Sequence, residues 1–190
     1  MRSRITRPAV LGLLVLLLVA GSSPLLAGAG PAERAATGFV DTVSYGTDWN
    51  PENRNFMSLW KWFGWGIEAK LKAARAPGSV WVHIPITLLS YNEGSALKVD
   101  YVEFCAKSSN GAATKPVKLH LWEETGSGTG AVRFYENNAI AWPADNNTHC
   151  IGADLNPPVW KQSLGVSVQL YFANSTDKIT LGKAWAHLVP

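Results

Sequence analysis

The residues best equipped for recognition are tryptophans. Trp60, Trp62 and Trp65 lie within the stretch 59–66, Leu-Trp-Lys-Trp-Phe-Gly-Trp-Gly, the most aromatic piece of the chain. Trp122 is a fourth candidate, on a run whose other outward residues are Lys118 and His120. A flat indole stacks on sugar rings and peptide surfaces, and Trp is enriched where binding energy concentrates. The same side chains serve equally well to cap the edge of a sandwich. In strand spacing Trp60 and Trp62 share a face while Trp65 points oppositely, so a platform of all three requires a bend at Gly64.

Other chemistry is weakly supported. His83, His120 and His187 with Glu103 offer metal-ligand types, but no close spacing such as H-x-H or H-E-x-x-H joins them. Imidazoles packed against the neighbouring Trp81 and Trp185 are the simpler reading, and no metal or cofactor is expected. Asp100, Glu103, Glu123 and Glu124 are the carboxylates a glycosidase would need as a pair across a cleft. Asp100 and Glu103 have opposite strand parity, however, and Glu123-Glu124 read as solvated turn residues. No serine lies in a Gly-x-Ser-x-Gly elbow. The sequence therefore assigns no catalytic residue and is read as non-enzymatic. Asn146-Asn147-Thr148 and Asn174-Ser175-Thr176 match glycosylation sequons, in segments where the same residues also make turns.

The elements that must position these residues are strands. In 79–89 the residues Val80, Val82, Ile84, Ile86 and Leu88 fall on one parity, and Trp81, His83, Pro85 and Thr87 on the other. That alternation predicts a strand with one aliphatic face, and Pro85 places it at an edge or breaks its pairing there. Leu164–Ala173 repeats the pattern. Further strands are predicted over 96–107, 117–122, from Val132 with Val132 and Phe134 inward, and over 179–189. Residues 67–73 combine helical composition with strict alternation and are read as a strand. Residues 137–158, with Pro143, Pro157 and Pro158, are read as mainly loop. One strand at most, near 37–45, is expected in 30–58, a partly ordered lead-in to a domain spanning 59–190. Many short strands with turn residues between them and no long helical pattern indicate an all-β fold, a single antiparallel β-sandwich of jelly-roll-like kind.

Arg2, Arg4 and Arg7, an apolar run from Ala9 to Ala20 and the small residues Ala27-Gly28-Ala29 describe a secretory signal peptide over 1–29. The run is shorter than the roughly 20 residues needed to span a bilayer. Of 17 basic and 14 acidic residues, three arginines belong to this segment. The remainder is near neutral, without the clustered positive field that nucleic acid or an anionic membrane requires. Cys105 and Cys150, an even count in a secreted chain, are expected to form one disulfide.

Gly64-Trp65-Gly66, then Trp81-Val82-His83-Ile84-Pro85-Ile86-Thr87, then Trp160 with Leu164-Gly165-Val166-Ser167-Val168, resemble landmarks of a group of uncharacterised bacterial β-sandwich proteins. The turn at the end of the second of these, usually Pro-Thr-Pro-like in that group, is Pro85-Ile86-Thr87 here. The resemblance implies the fold and carries over no catalytic residue. The expectation is a secreted binding module for a glycan or cell-surface component. A self-assembling surface protein is the alternative, and a hydrolase stands behind both.

Overall fold

Residues that alternate apolar and polar along an extended chain can bury one row of side chains only by pairing edge to edge and then stacking face to face. The computed structural model describes residues 39–92, 94–124 and 130–190. Its strands are β1 (Val40–Ser44), β2 (Asn50–Pro51), β3 (Met57–Phe63), β4 (Gly66–Leu71), β5 (Gly78–Ile86), β6 (Tyr91–Asn92) and β7 (Ser95–Ala96). There follow β8 (Lys98–Ser108), β9 (Lys115–Glu124), β10 (Ala131–Asn137), β11 (Thr148–Val159), β12 (Leu164–Phe172) and β13 (Ile179–Val189).

Sheet A runs β11-β8-β13-β4-β3, with β1 also paired to β13. Sheet B runs β10-β9-β12-β5-β2, and β6 with β7 makes a small separate ladder. The pairing is antiparallel throughout both sheets. Val82 and Ile84 of β5, Leu119 and Leu121 of β9 and Val166, Val168 and Leu170 of β12 join one core with Ile67, Phe104, Leu181 and Leu188 of sheet A. Each such side chain removed from water contributes about 1.5–3 kcal/mol. The fold is an antiparallel β-sandwich, and a Cys105–Cys150 disulfide links register partners on β8 and β11. Among the described residues, no helix is long and apolar enough to cross a membrane.

Pro85 is accommodated by the way β5 is paired. The Glu52 N–H donates to Trp81 C=O, so residues of that parity direct their backbone groups away from β12. β2 faces only Val82 and His83, so Pro85, lacking an N–H, lies where no partner strand continues.

The structure corrects several expectations. The sandwich begins well before residue 59: β1 lies along β13, and Trp49 is fully buried. The Trp49 Nε1–H donates to Gly182 C=O at 2.8 Å, and the ring meets Phe104 edge-on. Gly46 packs so close here that a Cβ would come within 2.7 Å of Gly66 Cα and 2.8 Å of the Gly182 carbonyl carbon. The segment 40–58 is thus part of the fold, with two strands before Met57 rather than one at most.

The second half of 137–158 is a long strand, β11. Its prolines fall at the register shift between Asp154 and Val159 on the edge of sheet A, where a missing donor costs little. Residues 66–71 are a strand, as the alternation predicted. On β10, Val132 is exposed rather than inward, because a register shift between Arg133 and Tyr135 turns both Phe134 and Tyr135 toward the core. The expected signal peptide over 1–29, residues 30–38 and the middle of the Gly/Ser/Thr loop, 125–129, lie outside the described residues.

Candidate binding groove on sheet B

The outer face of sheet B is built from the residues that alternate with its core positions. Three register rows cross it. His83 of β5 pairs with Ser167 of β12, which pairs with His120 of β9. One row along, Pro85, Gly165 and Trp122 line up and reach Arg133 of β10. On the other side Trp81, Gln169 and Lys118 form the third row. The apolar parity of the same strands is locked in the core, so these side chains project from the opposite face.

Two hollows open on this face, and Trp122 lines both. One, of about 250 Å³, is formed by Trp81, His83, His120, Trp122, Arg133 and Ser167, with Glu52 at its margin. The other, of about 370 Å³, lies between Trp122 and Pro85, with Gly165, Ser163 and Glu124 among its walls. Gly165 leaves bare sheet between Pro85 and Trp122; an added Cβ there would sit 3.6 Å from Trp122 Cβ, filling part of the floor.

The rings are held in place. The His120 ring centroid is 4.6 Å from that of Trp81 and 6.2 Å from that of Trp122, and its Nε2 is 3.0 Å from Asn138 Oδ1. His83 Nδ1 is hydrogen-bonded to Ser167 Oγ at 2.7 Å. Burial of the His83 ring among these neighbours lowers its pKa below the ordinary imidazole value, while the Glu52 charge pulls weakly the other way. Arg133 stands 5.7 Å from the Trp122 ring centroid and pairs with Glu136 at 3.0 Å.

Glu123 is not the solvated turn residue expected. Its carboxylate accepts from Lys161 Nζ at 2.8 Å and from the Gln162 N–H at 3.2 Å, and Ser163 Oγ accepts from the Glu124 N–H. Burial opposes the Glu123 charge, yet the Lys161 and Gln162 contacts hold its pKa below the usual carboxylate value. These bonds fix the 161–163 segment as a wall of the second hollow.

The four tryptophans proposed from sequence are dispersed. Trp122 stands in the groove. Trp60 is 7% exposed and belongs to the core, so it is withdrawn as a ligand contact. Trp62, 47% exposed, carries the Arg54 guanidinium 4.4 Å from its ring centroid. Trp65, 61% exposed, is stacked on Phe63 with centroids 5.1 Å apart and an interplanar angle of 11°. The groove residues missed were Trp81, His83, Ser167, Gly165 and Arg133. Their outward parity was legible, but their convergence depends on strand order.

The remaining chemistry-bearing residues are divided between the two faces. His83 and His120 belong to sheet B, whereas His187 and Glu103 lie on the outer face of sheet A, so the four do not gather. The parity argument also separated Asp100 from Glu103 wrongly. A register shift between His187 and Leu188 leaves Asp100 as an extra residue on β8. Asp100 consequently meets His187 Nδ1 at 2.6 Å, while Glu103 accepts from Trp185 Nε1 at 2.8 Å and Tyr101 Oη at 3.1 Å. Burial, followed by the Glu103 contact and the Glu103 and Asp154 charges, raises the Tyr101 pKa. Glu103, Cys105 and Cys150 are close together, but both sulfurs are spent in the disulfide and offer no thiolate.

No protein-family model and no curated protein matches the chain. Among solved structures, a family 29 carbohydrate binding module aligns with 79% of this chain and 89% of its own, at 11% identity and a TM-score of 0.39. A CBM29-2 variant complexed with cellulohexaose aligns with 78% of this chain and 91% of its own, at 10% identity and a TM-score of 0.38. Another, complexed with mannohexaose, aligns with 79% and 92%, at 11% identity and a TM-score of 0.37. Likeness at this level assigns neither a ligand nor a site to this chain.

Proposed function

We propose that the protein is a secreted, non-catalytic binding module that holds a neutral glycan chain along the outer face of sheet B. The observation that carries this reading is the pair of hollows meeting at Trp122. A ligand made of repeating rings can place successive units on either side of one indole, and aromatic faces bind the apolar face of a sugar. Ser167, His83, Arg133 and Glu52 supply donors and acceptors around the smaller hollow, as hydroxyl-rich ligands require. Arg133 is neutralised by Glu136, which suits a ligand without net charge.

The sheet edges support this reading over self-assembly. β10 exposes Arg133 and Glu136, β11 carries Pro157 and Pro158, and β3 exposes Lys61. Charges and prolines on edge strands oppose strand addition. Calorimetric titration with neutral oligosaccharides of increasing length tests the proposal. Affinity is expected to rise with chain length and then level off once both hollows are filled. Absence of binding by every neutral oligosaccharide, or affinity independent of length, overturns it.

A further inference from the structure

The structure holds a third concavity, of about 480 Å³, on the outer face of sheet A. We propose that it is a separate saccharide site, selective for a sugar ring carrying a carboxylate. It faces away from the sheet B groove and stands whether or not that groove binds glycan.

Trp65 supplies the wall. It follows the end of β3 at the β3–β4 turn, more than half of it in solvent, with one ring face stacked on Phe63. Lys61 Nζ lies 5.0 Å from the Phe63 ring centroid. Trp65 lines the concavity and Phe63 does not, so the indole, held by its stack on Phe63, borders the open side. A ring fixed before the ligand arrives loses little further freedom on binding.

The charges give the ligand's sign. The charged residues lining the concavity are Lys107, Lys178 and Glu68, an excess of one positive charge. Glu68 is taken by Lys178 at 2.9 Å. Lys107, exposed and flanked in register by Thr148 and Thr180, has no ionic partner among the described residues. A carboxylate would complete this ammonium with a charge-assisted hydrogen bond, and the two threonines offer hydroxyls beside it. Trp65 would meanwhile take the ring face.

The site is also braced. The Cys105–Cys150 pair lies two residues from the Lys107–Thr148 pair and fixes β8 against β11. Ser109 N–H donates to Lys178 C=O at 2.9 Å and Lys178 N–H to Ser109 Oγ at 2.8 Å, which holds the far wall.

The test is titration of the ¹⁵N-labelled protein with trigalacturonate, trimannuronate and a hyaluronan tetrasaccharide, each beside its methyl-esterified counterpart. At least one acidic oligosaccharide should shift the Trp65 indole and Lys107 amide signals, with the ester at least roughly tenfold weaker. Lys107→Ala should weaken the acidic ligand roughly tenfold, and Trp65→Ala should abolish the shift at Lys107. Both positions are exposed, and unchanged spectra elsewhere would show that each variant is folded. Trp122→Ala should leave this binding intact, which separates the site from the groove. No perturbation at Trp65 by any acidic oligosaccharide, or equal affinity for acid and ester, overturns the proposal.

Discussion

His83 and Ser167 face each other across the β5–β12 ladder, and their side chains are hydrogen-bonded at 2.7 Å. The bond ties the imidazole to the floor of the groove, where burial disfavours its charged form. NMR titration should therefore give His83 a pKa below the ordinary 6.5. A base whose folded pKa is depressed binds fewer protons folded than unfolded. Its stabilising contribution is present above about 6.5 and lost as pH falls through the folded value. Between pH 7.5 and 5.5 the native chain should lose more stability than His83→Gln does. A His83 pKa at or above 6.5 contradicts this.

Asp177 is a structural node behind the sheet A concavity. Its buried carboxylate accepts from Thr114 Oγ1, Asn174 Nδ2 and Asn110 Nδ2, joining the turn before β13 to the loop after β8. Burial opposes the charge, but these hydrogen bonds outweigh it and lower the pKa. Asp177→Ala should cost about 3 kcal/mol in urea denaturation, since bonds to a charged acceptor contribute about 1.5–3 kcal/mol and their loss strands buried donors. The native contribution should be complete above the ordinary carboxylate pKa and vanish as pH drops through the lower folded value. A loss under about 0.5 kcal/mol would show the node to be dispensable.

Trp60 and Trp62 should separate cleanly. Trp60→Ala removes a core indole and should cost about 3–5 kcal/mol. Trp60→Phe should cost far less, because the buried Trp60 indole N–H has no partner to lose. Trp62→Ala should change stability by under about 0.5 kcal/mol and leave glycan affinity unaltered. Equal destabilisation by the two alanine variants would place both rings in the core.

The contrast between these two residues shows what local pattern reveals. β5 and β12 were legible because each carries an unbroken alternation, and the disulfide because only two cysteines exist. Trp60 and Trp62 have the same parity, yet Trp60 lies opposite Ala69 in the core while Trp62 lies under Arg54, near the end of the strand. Trp49 sits among turn-forming residues, and its burial rests on Gly182, 133 positions away. Asp100 was assigned to the wrong face because one extra residue in a bulge reverses parity without altering composition. The groove eluded the sequence for a similar reason: Trp81, Ser167 and Trp122 come together only when β5, β12 and β9 are known to be neighbours.

Replacing both cysteines, as Cys105→Ala/Cys150→Ala, frees a loop with a sequence separation of 45. Loop-closure entropy assigns about 4 kcal/mol to such a link, which for a domain of this size lowers Tm by about 10 °C. Calorimetry checks this. A Tm within about 2 °C of wild type would mean that the β8–β11 ladder alone holds the edge.

The most direct test of the groove is affinity electrophoresis of wild-type protein, Trp122→Ala and Trp62→Ala through gels containing soluble neutral polysaccharides. Wild type and Trp62→Ala should be retarded equally by at least one polysaccharide, with Trp122→Ala migrating as in an empty gel. Retardation of Trp122→Ala equal to wild type, or no retardation of wild type by any polysaccharide, contradicts a glycan site on sheet B.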